Sequence, residues 1–402
     1  MSEAGGGPLA GIRVIDLTSA VLGPVATQIL GDMGAEVVKV EPPQGDTMRQ
    51  VGPTRGSDMA VMFLNINRNK RSVVLDLKRE QARRALLRLI DGADVLVHNM
   101  RVGAAERLGL SYAALAPLNP RLIHASATGF RKDGRHRDRP AFDDVIQGMS
   151  GLAALNAMRD GGEPRYVPSA VADKFCGHVL ASAVAMALYR RERTGLGQEV
   201  HVPMLETMIS FNLAEHLWGG VLDDPSLGLG YGRMFTPYRR PFPTSDGHLC
   251  LMANSDDQWQ RLLAALGRPD LAEDPRFARL AQRAVNIGAL YAIVEEVMRT
   301  RSTAEWQARL DAADVPNGPV HSLADLLEDD YLAETGFFRR VEHPSEGRML
   351  VTAVPLDFSE SPGAVRLLPP RLGEHTGEVL REAGLSEAEI CDLIGRETTG
   401  GQ

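Results

Sequence analysis

The most constraining feature of this chain is a regular alternation of short β-branched runs and amphipathic stretches over residues 11–130. GIRVIDLTS, EVVKVEPP, RSVVLDL, DVLVHN and RLIHASATGF have the continuous apolar texture of strands buried on both faces. PVATQILGDMGA and REQARRALLRLIDGA lie between them with helical periodicity, and Pro42 and Pro43 stop the second strand. Buried strands separated by helices of about a dozen residues call for a parallel sheet built from βαβ units. The expected fold class is α/β.

The rest of the chain keeps this texture with one excursion. An Ala-rich helix is expected from about Asp173 to Arg191, then a strand at QEVHVPM and a helix from Leu205 to His216. LGLGYGRMFTPYRRPFP is rich in Gly, Pro and Tyr and reads as a linker or a binding loop. SDGHLCLMANS reads as a turn and strand, and helical segments follow to Asp314, one of them opened by a Ser302–Glu305 capping box. PNGPV reads as a turn, and the last helix is capped by Ser386 and Glu389. The expected boundaries are 1–215 for the N-terminal part of a large domain, 216–320 for linkers and a smaller α+β domain, and 321–402 for the return to the large domain.

Composition narrows the function classes. Hydrophobic residues at 44% and charged residues at 24% are ordinary for a globular chain and exclude global disorder. The 44 Lys and Arg against 52 Asp and Glu give a net charge of −8, so no nucleic-acid partner is expected. Cys176, Cys250 and Cys391 lie far apart, which suits a reducing compartment rather than a disulfide scaffold. MSEAGGGPLAG lacks the pattern of a secretory signal, and the apolar run from Cys176 to Tyr189 is shorter than the ~20 residues a bilayer requires. A cytoplasmic location without a membrane partner is expected. The ten histidines form no HxxxH or HExxH pair, and no metal site is expected.

Several motifs invite a ligand. The first βα turn, TSAVLGPVA, has one glycine instead of the three of a dinucleotide fingerprint, which favours a structural βαβ unit over a ribose held by Glu41. Arg68, Lys70, Arg71 and Lys78 surround one strand and fit either a phosphate site or a solvated strand entry. The run RKDGRHRDRP at 131–140 reads as a solvated loop. Asn99, Arg101 and Arg107 follow the DVLVH strand, where open α/β sheets hold their ligands. Asp173 reads first as an N-cap aspartate. The functional alternative is a nucleophile or base kept ionised by the helix N–H groups.

Together these segments resemble the family III CoA-transferases, a group that includes formyl-CoA transferase, carnitine CoA-transferase and the 2-methylacyl-CoA racemases. The resemblance runs over nearly the whole chain, in the family's order. It is carried by LAGIRVIDLT, GPVATQILGDMGAEVVKVE, NRNKRSVVLDLK, DVLVHNMRVGAAERLGL, PRLIHASATGF, AFDDVIQGMSGL, TGLGQEVHVPMLETM, FPTSDGHL and GPVHSLADLLEDDYL. It implies a Rossmann-like large domain made from both ends of the chain, a small domain near 225–320 and an interlaced homodimer. It also implies that Asp173 is the nucleophile, passing through an acyl–aspartyl anhydride and an aspartyl-CoA thioester; Asp143 reads either as its polar partner or as a structural acid. Leu75, Lys78, Asn99, Met100 and Arg107, with Arg101 beside them, are implied to contact coenzyme A. CoA and acyl-CoA are then substrates, exchanged with a small carboxylic acid, and no permanently bound cofactor is expected.

The departures are informative. A family arginine falls on Pro42 and a family lysine on Pro140, so Arg68, Arg71 or the 131–139 run would have to supply those charges. The glutamine that formyl-CoA transferase carries in its first βα turn is matched by Val21, which argues against formate or oxalate. The racemase branch needs a histidine where this chain has Phe142, and phenylalanine exchanges no proton, which favours transfer over racemisation. A CoA-binding protein without turnover and a dehydrogenase are the remaining alternatives. Arg233, Arg239 and Arg240 are candidates to hold a second carboxylate, as in a succinyl group.

Overall fold

The computed structural model describes residues 6–56 and 59–395; residues 1–5, part of the segment read for a leader pattern, lie outside the described residues. Six parallel strands carry the fold. They are β1 (Arg13–Asp16), β2 (Glu36–Glu41), β3 (Lys70–Val74), β4 (Val95–His98), β5 (Ile123–Thr128) and β6 (Gln198–Pro203). Their order in the sheet is β3-β2-β1-β4-β5-β6. The order reverses beside β1, so a crevice opens beyond the carboxyl ends of β1 and β4, where ligands of such sheets sit.

The helices between these strands follow from the apolar spacing read above. They are α1 (Leu22–Asp32), α2 (Val61–Ile66), α3 (Glu80–Asp91), the short α4 (Val102–Arg107) and α5 (Tyr112–Leu115), and α6 (Asp143–Met149). In α3, Ala82, Ala85, Leu86, Leu89 and Ile90 form a buried stripe at helical spacing and pack in one core with Val38, Val73 and Leu96. Burial of each such side chain contributes about 1.5–3 kcal/mol, which is why this face and not the Arg-rich one turns inward.

The chain separates into two compact units, the first being 1–150, 166–210 and 333–402 and the second 151–165 and 211–332. In the first unit the long helix α8 spans Val171–Thr194, two to three residues beyond the expected helix at each end. By length and composition it could span a bilayer, yet Ala172, Cys176, Leu180, Val184 and Leu188 are buried in the protein. Gly177 lets it approach α1: a Cβ there would lie 2.7 Å from the Leu22 carbonyl oxygen. The second unit holds α7 (Leu152–Asp160), α10 (Asp256–Ala265), α11 (Leu280–Met298) and α12 (Thr303–Ala312), with α9 (Met204–His216) entering it from the first. Its antiparallel sheet includes Asn317–Pro319, so the segment expected as a turn is a short strand. The Ser302–Glu305 capping box and the Ser386–Glu389 cap form as expected.

Candidate active site

The first βα turn is held from beneath by a buried set of charges. Asp16 accepts hydrogen bonds from the Thr18 N–H (2.8 Å) and hydroxyl (2.5 Å), the Thr27 hydroxyl (2.6 Å) and the Lys70 ammonium (3.2 Å). Lys39 donates to the Thr18 carbonyl (2.8 Å) and to Asp46 (2.9 Å). Burial works against the Asp16 charge, but Lys70, Lys39 and the two hydroxyls hold its carboxyl below the usual range. Burial pushes the Lys70 ammonium down to about 8. Glu41 accepts two 2.8 Å bonds from Arg49 and one of 2.7 Å from the Ser72 hydroxyl.

This network agrees with the structural reading of the first βα unit and decides against the phosphate reading of the cations around β3. Glu41 has no oxygen left for a ribose. Lys70 is fully buried under the turn, Arg68 is paired with Asp32 at 2.8 Å and Arg71 with Glu36 and Glu382 at 2.8 Å each, so none of the three is a free phosphate ligand. What the network does instead is fix residues 17–20. Ala20 sits at φ 64°, a left-handed conformation unusual for alanine, with its N–H on Asp46 at 3.2 Å. Asn99 clamps the same turn, accepting from the Ser19 N–H at 3.0 Å and donating to the Ser19 carbonyl at 2.8 Å.

Two cavities flank this turn. One of 490 Å³ is lined by Ser19, Pro42, Leu75, Lys78, Met100 and neighbouring residues both apolar and polar, Glu41, Asp46 and Asp76 among them. The other, of 190 Å³, is lined by Ser19, Asn99, Arg101, Arg139, Phe142 and Asp173 among others. Ser19 belongs to both. The structure thus gathers Leu75, Lys78 and Met100 on one side and Asn99, Arg101 and Asp173 on the other, while Arg107 ends α4 and lines neither cavity. Phe142, 72% exposed, and Val21 give the second cavity apolar wall. The 131–140 run is a loop, but Arg137 and Arg139 face the Asp173 cavity rather than solvent alone. Arg139 and Arg101 have no ion pair among the described residues, and Arg137 donates to Glu106 at 2.8 Å. In the second unit Arg233 donates to Tyr291 and Arg240 to Glu295, so these two guanidiniums are already engaged.

Asp173 is not the N-cap of α8. Ala170 takes that place, without a side-chain cap, and Asp173 stands three residues further into the first turn. The cap is supplied from α6: Asp143 Oδ1 accepts the Asp173 N–H at 2.9 Å. Gln147, one turn along, donates to Asp143 Oδ2 at 2.5 Å and to the Ser169 carbonyl at 3.2 Å, and accepts from the Val167 N–H at 2.9 Å. The Asp173 carboxyl is not kept ionised by helix N–H groups as expected. Burial first, then the charges of Asp143 and Asp144, push it up to about 7. A carboxylate so destabilised is more basic and more nucleophilic than a free one.

The family model for CoA-transferase family III matches residues 9–376. The chain is 35% identical to the probable fatty acyl-CoA transferase Rv3272 of Mycobacterium tuberculosis, covering 93% of this chain and 97% of that one. A crystal structure of Rv3272 superposes with a TM-score of 0.80, at 34% identity over 93% of this chain and 99% of that one. Identity is 35% with the acetyl-CoA:oxalate CoA-transferase of Acetobacter aceti, over 95% and 97% of the two chains. With the succinate–glutarate CoA-transferase of Agrobacterium fabrum it is 34%, over 93% and 95%. The chain belongs to CoA-transferase family III, and it is a CoA-transferase enzyme acting on CoA thioesters.

Sequence reasoning missed Gln147, Ser19 and Thr128. Gln147 stands one helical turn from Asp143, a spacing at which side chains meet, and that was the available signal.

Proposed function

We propose that this enzyme moves CoA from an acyl-CoA to a free, short organic acid, with Asp173 as the covalent nucleophile. The Asp173 carboxylate adds to the thioester carbonyl, the C–S bond breaks, and an acyl–aspartyl anhydride and CoA thiolate result. The thiolate attacks the aspartyl carbonyl, releasing the donor as its carboxylate and leaving an aspartyl-CoA thioester. The acceptor carboxylate attacks that thioester, giving a new anhydride and the thiolate again. Attack of the thiolate on the new acyl carbonyl yields product and restores Asp173. Anhydride and thioester are close in reactivity, so activation is conserved without ATP, provided water is excluded.

One observation carries this reading: the Asp173 cavity adjoins, at Ser19, the larger cavity lined by Leu75, Lys78 and Met100. A long thioester bound across both would bring its reacting carbon to the carboxylate. Arg101 and Arg139 give the second cavity unpaired cations for the charge that develops on carbonyl oxygen, or for an acid's second carboxylate. Arg139 thereby takes over from the lysine whose place Pro140 occupies. Asp143 is a positioning residue through the Asp173 N–H, and Arg107 has an outer role beside Asp138. Succinyl-CoA is the first donor to test, because a cavity of 190 Å³ suits a short acyl group.

The same proposal includes a homodimer, whose contact surface would use the exposed Met186 and Tyr189 of α8, the domain division at about 215 and 320, the absence of a resident cofactor and a cytoplasmic location. The test is mass spectrometry in heavy water, with a panel of acyl-CoAs and a pool of acids. A new acyl-CoA mass establishes transfer and identifies both substrates. An unchanged acyl chain carrying one deuterium means α-proton exchange instead, and the reading fails.

A further inference from the structure

A third cavity, of 260 Å³, lies at the β4-β5-β6 end of the sheet. In a doubly covered parallel sheet both faces should be apolar, yet here one face is polar in register. His98 pairs with Ser126 across β4 and β5, and Ser126 with His201 across β5 and β6; His124 pairs with Glu199 one step earlier. Side chains two apart along a strand share a face, so the pleat brings His98, His124, Ser126, Thr128 and His201 into one wall. The histidines are 26 and 77 residues apart in sequence.

Their hydrogen bonds fix what the wall offers. The Thr128 hydroxyl has one proton and gives it to the Phe130 carbonyl at 2.8 Å, so at 2.8 Å it accepts from His201 Nε2–H. His124 Nε2–H donates to the Leu110 carbonyl at 2.8 Å, which leaves Nδ1 as an acceptor. That nitrogen is buried and has no partner among the described residues. His98 is 3% exposed, and neither of its ring nitrogens has a partner among the described residues. Its ring meets that of His124 edge-on, with centroids 5.0 Å apart. A buried polar group without a partner costs about 1–3 kcal/mol, so an unfilled wall of this kind is expensive. The open inventory is one N–H donor and two nitrogen acceptors.

No free charge accompanies them. Lys132 at the rim is paired with Glu199, and Glu106 with Arg137. Burial keeps His98 neutral, pushed down to about 3, and also lowers His124 and His201. An anion or a metal is therefore a poor guest, and no cluster of metal-ligating residues occurs among the described residues. The cavity shares Met100 with the 490 Å³ cavity and Thr128 with the Asp173 cavity.

We infer that this histidine-walled cavity is a binding site for a neutral chain bearing hydroxyl and amide groups, which satisfies His98 and His124 by donating and accepting at once. Such a chain has two sources, the uncharged arm of a bound CoA thioester or a separate small polyol. The first source rests on the transferase reading above; the site itself does not.

The experiment is NMR of the full-length protein with ¹⁵N-labelled histidine rings, titrated at pH 7 with pantetheine, glycerol or succinate. His98→Phe and His124→Phe each delete one signal and assign it. Saturable shifts of the His98 and His124 signals with pantetheine support the site and the thioester arm as its guest. Shifts with glycerol and not pantetheine support the site with a separate polyol. Shifts with succinate alone, or with none of the three, overturn the inference. His98→Gln keeps a donor and an acceptor and retains the His124 response, whereas His98→Phe loses it; should the phenylalanine variant not fold, the wild-type titration decides. Acyl-CoA exchange measured on the same sample reports separately on the transferase reading.

Discussion

Asp143 on α6 accepts the backbone N–H of Asp173 at 2.9 Å, so one carboxylate caps the helix that presents the other. The pair is coupled twice. Asp143 fixes the first turn of α8 through its hydrogen bond, and its charge helps to raise the Asp173 carboxyl to about 7.

Replacing Asp173 by Ala or Asn removes the nucleophile, and acyl-CoA exchange should fall by about 10³-fold or more while CoA still binds. Mass-spectrometric exchange and isothermal titration with CoA check the two halves. Retained turnover with intact CoA binding would refute the assigned role.

Because Asp173 must be ionised to attack, kcat/KM should rise with pH through about 7 and level off above it. Asp143→Asn removes one of the charges that raise this carboxyl, so its acid limb should move to lower pH. An unchanged limb in that variant would leave burial and the Asp144 charge as the cause.

Stability carries the opposite sign. The folded Asp173 holds its proton up to about 7, far above the 3.8 of an ordinary aspartate, so its ionisation costs stability as pH rises through that window. Asp173→Asn should therefore unfold at higher urea than wild type at pH 8, by roughly 4 kcal/mol at about 1.36 kcal/mol per unit. The difference should vanish near pH 4.

Much of the fold was legible before the structure, because β-branched runs and one-sided helices leave a periodic trace. Leu75, Lys78 and Met100, singled out from the sequence, line one cavity. Other roles left no trace. Arg68, Lys70 and Arg71 fitted a phosphate site as well as a solvated one because their partners, Asp32, Asp16 and Glu382, lie in other segments. Asp173 looked like a cap because helix starts are written in residue types, whereas the capping carboxylate comes from 30 residues upstream. The three histidines meet only through strand register.

Lys78 and Arg139 offer a test of which cavity holds which part of the thioester. Lys78→Ala should raise KM for acyl-CoA about tenfold, with kcat little changed, since a charge-assisted bond contributes about 1.5–3 kcal/mol. Arg139→Gln should lower kcat as well, because its cavity contains Asp173. Steady-state kinetics with a single donor distinguish the two patterns.

Removing one partner of the buried set under the first turn should be felt in both cavities. Lys70→Met leaves Asp16 without its ammonium and should cost about 3–5 kcal/mol in urea unfolding. A loss under about 1 kcal/mol would show that Thr18, Thr27 and Lys39 suffice.

Ser19, Met100 and Thr128 each belong to two chambers at once. They are party walls, and neither neighbour can be remodelled privately. A substitution chosen to widen one room alters its neighbour, so effects on donor and acceptor preference should fail to add when such changes are combined. Drift in substrate choice along this scaffold would then proceed by linked pairs of changes rather than by single ones.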